Sequence, residues 1–377
     1  MPMRSGSEKS VYQDPVTGRT IWRLTNSPVD DKHSYYDICP WSPDRKYIVF
    51  SSAVPKDLTT HRGDLFVTGS GRVYVMDTAH YEITQIAEGT SFNTHTGAFA
   101  VWHPTKNRVY FNRPSGKIGV VDMENPEEER VMEGGLRQLS PDGQKMVTTS
   151  NDADYREGQG VYTMNEDGSE LKRILSTEAL YELTPNRDKF SIDQMTVGNT
   201  KWTPDSQHLL VAMWVDHWTN PIRRSIYVVS RDGSEARWLT YFGGHHSWTP
   251  DGKQVLHVGY KHHTDEERKD RRLFLTSFDG SDSRVIIEED MGSHPLMDPT
   301  STMITDWDQQ GVLVVHIEDQ RVERVASFGD GFRMDHEGTH PHSVWSPDGK
   351  QILYNSAQTG TSQLYLIPME EPCETIR

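Results

Sequence analysis

The chain has 377 residues, and its 39 Lys and Arg against 55 Asp and Glu give a formal net charge of −16. This acidity argues against a nucleic-acid partner, because phosphate neutralisation needs a basic surface. No apolar run approaches the ~18 residues of a membrane span, and the first residues lack the apolar core of a signal peptide, so we expect a cytoplasmic protein with no membrane partner. Because Cys39 and Cys373 are the only cysteines, a disulfide framework and a multi-cysteine zinc site are excluded.

A short phrase recurs seven times along the chain. Its period is roughly 51 residues, which is in the range of propeller blades. Each copy ends one apolar strand and makes a tight turn, through Pro and usually Asp or Gly, into the next strand. The copies begin at Trp41, Trp102, Leu139, Trp202, Trp248, Met297 and Trp345.

Further strands follow each phrase at regular spacing. In chain order, the predicted strands lie at 20–25; 47–50, 72–76 and 83–86; 117–121 and 129–132; 161–164 and 172–175; 225–229 and 237–240; 255–258, 273–275 and 284–287; 312–315 and 323–326; and 352–354 and 363–367. The last repeat lacks a fourth strand, and the N-terminal strand has the character of the missing one. Short helical turns are expected at 178–182 and 265–270.

These elements predict an all-β fold, a seven-bladed β-propeller of four-stranded blades. The N-terminal strand completes the last blade and closes the ring, which removes exposed sheet edges. We expect residues 11–377 to form this single domain and residues 1–10 to be a disordered tail.

The 17 histidines are numerous for so acidic a chain, and several fall at equivalent positions of the repeat. The first strand of each propeller blade lines the central channel, so residues just before the repeated Trp lie at one channel mouth. Three residues before that position, consecutive blades carry His245, His294 and His342. His340 projects to the same side of its strand as His342. A cluster of imidazoles at one mouth is therefore expected.

Two further histidines, His33 and His95, precede their Trp by eight and seven residues, at the same mouth. Converging neutral imidazoles without thiolates favour a divalent transition metal such as Mn, Fe, Ni, Cu or Zn. The alternative is that these side chains only form hydrogen bonds to channel water.

The segment from His336 to His340 spells the His-Glu-x-x-His of zinc proteases, which requires both histidines on one helical face. Gly338 lies inside the segment and Pro341 follows it, so we do not expect a helix or a protease site here.

The connection from Val215 to Arg224 opens at the mouth that carries the histidines. It brings Trp218, Arg223 and Arg224 towards His245. Arginine recognises carboxylates through two parallel hydrogen bonds, so a metal with nearby arginines indicates an anionic ligand. The alternative is that each arginine pairs with a surface carboxylate.

Several of these phrases together resemble the oligogalacturonate lyase family, over nearly the whole chain. They are residues 17–25, the His-Ser-Tyr-Tyr phrase from His33, the Trp-Ser-Pro-Asp phrase from Trp41, His245 before its Trp-Thr-Pro-Asp-Gly phrase, and His340-Pro-His342. The Trp-Ser-Pro-Asp phrases alone are shared with TolB-like and WD40-like propellers.

The resemblance implies a cytoplasmic metal-dependent lyase that degrades pectin fragments. It would cleave short oligogalacturonides by β-elimination to 4,5-unsaturated products, with Mn²⁺ as cofactor and an acidic oligosaccharide as substrate. The implied metal ligands are His294, His340, His342 and Glu337, where the family carries Gln in place of Glu337.

The resemblance also implies a catalytic base and an arginine. His245 falls on the family's base, whereas the position of its catalytic Arg holds Ser225, with Arg223 and Arg224 displaced alongside. We expect the substrate to contact His33, Tyr35, His95 and Trp218, and the protein to be a monomer or a small homo-oligomer.

Two alternatives remain open from the sequence. One is a related metal-dependent propeller enzyme for a different acidic sugar or glycoside, and the other is a non-catalytic TolB-like binding propeller. A propeller peptidase is excluded because no Gly-x-Ser-x-Gly motif is present.

Overall fold

The computed structural model describes residues 4–54, 68–149, 158–215, 224–241, 244–260, 271–288, 293–329 and 340–369. Within these ranges the chain forms 29 strands in seven antiparallel sheets and one short α-helix.

The strands follow one another in the order that the sequence predicts. The first ten are β1 (Ser10–Gln13), β2 (Thr20–Arg23), β3 (Asp31–Lys32), β4 (Tyr47–Ala53), β5 (Thr68–Asp77), β6 (Ile83–Asn93), β7 (Val101–Trp102), β8 (Arg108–Arg113), β9 (Lys117–Asp122) and β10 (Glu129–Glu133). The next eight are β11 (Gln138–Leu139), β12 (Lys145–Thr149), β13 (Gly160–Asn165), β14 (Lys172–Ser176), β15 (Met195–Trp202), β16 (His208–Val215), β17 (Arg224–Ser230) and β18 (Ala236–Tyr241). The last eleven are β19 (His246–Trp248), β20 (Gln254–Tyr260), β21 (Arg271–Ser277), β22 (Ser283–Ile287), β23 (Leu296–Met297), β24 (Met303–Asp308), β25 (Gly311–His316), β26 (Arg321–Ser327), β27 (Val344–Trp345), β28 (Gln351–Ser356) and β29 (Gln363–Pro368).

Six sheets contain four consecutive strands each, from β3–β6 to β23–β26, and the seventh has the order β1-β2-β29-β28-β27. Strand β2 pairs with β29, so the N-terminal strand completes the last blade as predicted. The fold is a seven-bladed β-propeller, which confirms the predicted fold class.

The strand β1, which the sequence analysis did not predict, adds a fifth strand at the edge of the last sheet. Before it, the Arg4 guanidinium contacts the carboxylates of Glu8 and Asp31 at 2.6 Å and 2.9 Å. The single domain over 11–377 and the disordered tail over 1–10 stay predictions.

By its contacts the chain divides into two compact units. Unit 1 comprises residues 1–114, 119–131 and 296–377, and unit 2 comprises residues 115–118 and 132–295. Each unit has its own apolar core. In unit 1, Ile21 on β2 packs among residues such as Val312 and Tyr354, and in unit 2, Trp202 packs with residues such as Val211.

Tryptophan side chains of the repeated phrase form hydrogen bonds between neighbouring sheets. In unit 1 the indole Nε1 of Trp102 donates to the carbonyl of Pro40 at 2.8 Å, and Trp345 donates to Leu296 at 3.2 Å. In unit 2, Trp248 donates to the carbonyl of Lys201 at 3.4 Å. A buried indole N–H needs such an acceptor, so these three Trp residues fix their strands against the preceding sheet.

Helical structure in the described residues is short. The helix α1 (Thr177–Leu183) confirms the helical turn expected at 178–182, and Ser176 caps it by accepting a hydrogen bond from the backbone N–H of Ala179. Two 3-10 turns follow, and the turn expected at 265–270 lies outside the described residues. None of the helices in the described part of the chain is long and apolar enough to cross a membrane.

Candidate metal centre

Two predicted ligands, His340 and His342, lie on the segment that enters β27. Its backbone is held by Asn355 on β28, whose N–H donates to the carbonyl of Pro341 at 2.8 Å. The Asn355 side-chain amide also donates to the His340 carbonyl at 3.5 Å. His342 is fully buried and has a left-handed backbone with φ of 45°. A non-glycine residue in this conformation is uncommon and clusters at functional sites.

A tight turn after β6 places His95. The Asn93 carboxamide oxygen accepts from the backbone N–H groups of His95 at 2.9 Å and Thr96 at 2.7 Å. Gly97 has φ of 61°, and a Cβ there would clash with the side-chain hydroxyl of Ser51. Only glycine therefore fits the turn that carries His95.

Within unit 1 these three imidazoles form a compact group. The ring centroid of His95 lies 4.6 Å from that of His340 and 4.5 Å from that of His342, and the centroids of the latter two rings are 5.6 Å apart. Tyr35 packs edge-on against His342 at 4.6 Å, and His33 lies 6.5 Å from His342. The residues predicted to contact substrate in this unit thus surround the predicted ligands.

His294, the remaining histidine among the predicted ligands, belongs to unit 2 and directly precedes Pro295. Within unit 1, one ring nitrogen from each of His95, His340 and His342 lies within 4.8 Å of the others. Imidazole nitrogens bind a transition metal at ~2.1 Å, so opposite ligands stand ~4.2 Å apart. Small side-chain movements therefore allow this group to hold a metal ion.

His245, the predicted base, lies directly before β19. Its backbone carbonyl accepts a hydrogen bond from the Val258 N–H at 2.9 Å. Its ring stacks on that of His294, with centroids 3.8 Å apart and planes inclined by 26°. His245 is therefore in ring contact with a predicted metal ligand of its own unit, unit 2.

Burial keeps two histidines of unit 1 neutral. It lowers the pKa of His33 to about 3, and burial with the positive charge of Lys32 lowers the pKa of His340 to about 4. Neutral imidazole is the form that binds a metal. His340 is thus in its ligating form at neutral pH.

These shifts predict acid sensitivity of the metal-free protein. Because the folded pKa values of His33 and His340 lie below the ordinary value of 6.5, the unfolded chain binds more protons. Their contribution to stability is complete above pH ~6.5 and is lost as the pH falls towards 4 and then 3. We expect the melting temperature of chelator-treated protein to fall over this range. A melting temperature independent of pH from 7 to 4 would contradict these shifts.

Lys32 is a residue of this neighbourhood that the sequence analysis missed. It lies on β3 with no side-chain exposure, and burial lowers its pKa to about 8. A single lysine before His33 does not stand out in the sequence. It lies on β3, which precedes the repeated phrase at Trp41 and is not part of it.

The predicted arginine site is only partly described. Arg224 begins β17 opposite Trp214 and is partly buried. Ser225 is fully buried, and its hydroxyl accepts a hydrogen bond from the Trp238 indole at 3.2 Å. Position 225 therefore carries a buried hydroxyl and no guanidinium. Three further predicted site residues lie outside the described residues, namely Trp218, Arg223 and Glu337.

Comparison with known proteins gives full-length relatives. No family model matches the chain. It is 22% identical to an oligogalacturonide lyase of Pectobacterium atrosepticum over 399 aligned residues, which cover 94% of each chain. An oligogalacturonate lyase of Dickeya dadantii is also 22% identical and is covered to the same extent.

Solved structures agree with these relatives. An oligogalacturonate lyase in complex with manganese superposes with a TM-score of 0.72 at 20% identity, over 98% of this chain and 99% of that one. The oligogalacturonate lyase of Vibrio parahaemolyticus gives a TM-score of 0.73 at 15% identity, over 97% and 98% of the two chains. The sequence matches and the shared fold confirm that this chain resembles the oligogalacturonate lyases over nearly its whole length.

Proposed function

We propose that the protein is a metal-dependent lyase that cleaves short oligogalacturonides by β-elimination to 4,5-unsaturated products. The observation that carries this proposal is the group of three imidazoles in unit 1, those of His95, His340 and His342, whose nitrogens lie within 4.8 Å of one another. The full-length similarity to oligogalacturonate lyases supports the reaction class, and the manganese complex of one structural neighbour supports Mn²⁺.

The donor set fits such a metal. Nitrogen ligands without thiolates suit divalent transition metals. Neutral imidazoles leave the full charge of the cation available to an anionic substrate. A divalent metal held by His95, His340 and His342 of unit 1 would supply positive charge that stabilises a uronate carboxylate as it gains enolate character.

Elimination requires a base for the C5 proton of the uronate. This proton is α to the C6 carboxylate, so it is removed only where the carboxylate charge is neutralised. An imidazole titrates close to neutral pH and can accept it. His245 stacks on His294 and is not a member of the imidazole group of unit 1. We therefore assign it as the base. Departure of the O4-linked sugar then leaves the 4,5-double bond, and no water is consumed.

The rings of Tyr35 and His33 border the imidazole group of unit 1. Tyr35 packs against both His95 and His342, at 5.5 Å and 4.6 Å between ring centroids. The rings of Tyr35 and His33 restrict the space beside the ligating nitrogens. We propose that they orient the sugar ring, and that Arg224 binds a carboxylate of the substrate.

A related enzyme for a different acidic sugar is the second candidate. Ser225 favours it, because its buried hydroxyl is engaged by Trp238 where the family carries an arginine. Loss of that arginine alters how a substrate carboxylate is held, and this changes which uronide fits best.

The proposal is tested by incubating metal-free and Mn²⁺-loaded protein with digalacturonate and trigalacturonate. We expect the ultraviolet absorbance of an unsaturated product to rise only with metal. Activity on another uronide but not on galacturonides would support the second candidate. Absence of product from every uronide, with metal bound, would contradict a lyase.

A further inference from the structure

Lys32 carries a buried positive charge that the fold does not neutralise by contact. Its side chain has no exposed surface, and its Nζ has no hydrogen-bond partner among the described residues. Taking an ammonium out of water without a partner is costly, and such groups are retained where the charge has a use.

The neighbouring carboxylates do not form an ion pair with Lys32. Alternation along β3 directs Asp31 to the opposite face, where its carboxylate accepts a hydrogen bond from Arg4 at 2.9 Å. The Asp30 carboxylate accepts from the backbone N–H of Ser362 at 2.7 Å and influences Lys32 only through its charge.

The Lys32 stem is fixed beside the turn that carries His95. Lys32 pairs with Ser51 on β4, and the Ser51 hydroxyl donates to its carbonyl at 3.3 Å. A Cβ at Gly97 would lie 3.3 Å from the Lys32 Cβ. The lysine stem and the His95 turn are therefore packed together within unit 1.

Lys32 is buried in the neighbourhood of the imidazoles of the same unit. The turn against which its stem packs carries His95, whose ring centroid lies 4.6 Å from that of His340 and 4.5 Å from that of His342. A positive charge buried beside these rings favours an anion bound against them, because Coulomb attraction is strong where water is excluded.

We propose that Lys32 is a positioning residue that makes this site selective for acidic ligands, because its buried ammonium attracts a carboxylate held at the imidazoles of His340 and His342. This inference rests on the proposed function and specifies how a uronide is distinguished from a neutral sugar. A neutral sugar gains nothing from the field of Lys32, whereas each bound uronate gains attraction.

Removal of the Lys32 charge is expected to weaken substrate binding and to raise the stability of the protein. Lys32→Met keeps the length of the side chain and removes the charge, so we expect a higher melting temperature than in the wild type. In the Mn²⁺-loaded enzyme we expect the KM for digalacturonate to rise about tenfold with kcat changed less than about threefold. For the neutral methyl ester of digalacturonate, calorimetry should show the same affinity in both proteins.

Lys46→Met is the matched control, because the Lys46 side chain is 73% exposed and pairs with Asp44 at the surface of the same unit. It should leave KM, affinity and melting temperature unchanged. Lys32→Gln gives a second uncharged variant.

Other results for the Lys32 variants would either overturn or support the role of its charge. Unchanged KM in a folded Lys32 variant would overturn the proposal, and so would loss of folding in both variants, which would give Lys32 a structural role. If digalacturonate is bound but never cleaved, weaker calorimetric binding by Lys32→Met would support the inference while the proposed lyase activity fails.

Discussion

Replacement of His342 by alanine is expected to abolish manganese binding and to lower the rate of galacturonide cleavage by at least about 10³-fold. His342 is fully buried and lies at the centre of the unit 1 group, within 4.6 Å of the Tyr35 ring and 4.5 Å of the His95 ring. Removal of one imidazole takes away a ligand that no neighbouring side chain replaces. Metal content per chain and initial rates measure both effects.

His80→Ala is the control for this experiment, because His80 lies on the exposed turn after β5. It should retain the metal content and rate of the wild type. Undiminished manganese in purified His342→Ala would contradict the assignment of this residue as a ligand.

Replacement of His245 by glutamine is expected to separate chemistry from metal binding. A general base contributes about 10² to 10⁴-fold to a rate, so kcat should fall by that factor. Metal content should stay at the wild-type level, because His245 is outside the imidazole group of unit 1 that we propose holds the metal. Steady-state kinetics and metal analysis of the same preparation give the two quantities.

The control for this variant is His208→Gln, since His208 lies on β16 edge-on to Phe278, in unit 2. It should be fully active. If His245→Gln lost metal and activity together, His245 would be part of the metal centre. If it kept full activity, another group would have to be the base.

The fold was predictable from the sequence because its stabilising contacts recur. In six of the seven phrases a hydroxyl and a carboxylate two residues apart make the turn, such as Ser346 and Asp348 at 2.7 Å, and a Trp such as Trp345 donates to the preceding sheet. Such local patterns repeat in the sequence as they do in the structure. The strand β1 has no counterpart in the repeat, and for that reason it was not predicted.

The site was predictable where it follows the repeat. His294 and His342 hold equivalent positions three residues before the phrase, and His342 belongs to the imidazole group of unit 1. His95 was expected to contact substrate, yet its ring lies beside those of His340 and His342. The Asn93–Gly97 turn holds it there. Lys32 was missed because the cost of burying a charge depends on packing, which no spacing in the sequence reveals.

The net charge of −16 gives no indication of the local field at the histidines. In unit 1 the charge next to His340 that lowers its pKa is that of Lys32, which is positive. An acidic chain can therefore present a site that attracts an acidic sugar, provided the positive groups are buried beside it.

The most direct test of the proposed β-elimination is digestion of trigalacturonate by the Mn²⁺-loaded protein in water enriched in heavy oxygen. Elimination consumes no water, so we predict that no heavy oxygen is incorporated at the cleaved bond and that one product carries a 4,5-double bond. Products that contain heavy oxygen and lack the double bond would show hydrolysis and would contradict the account.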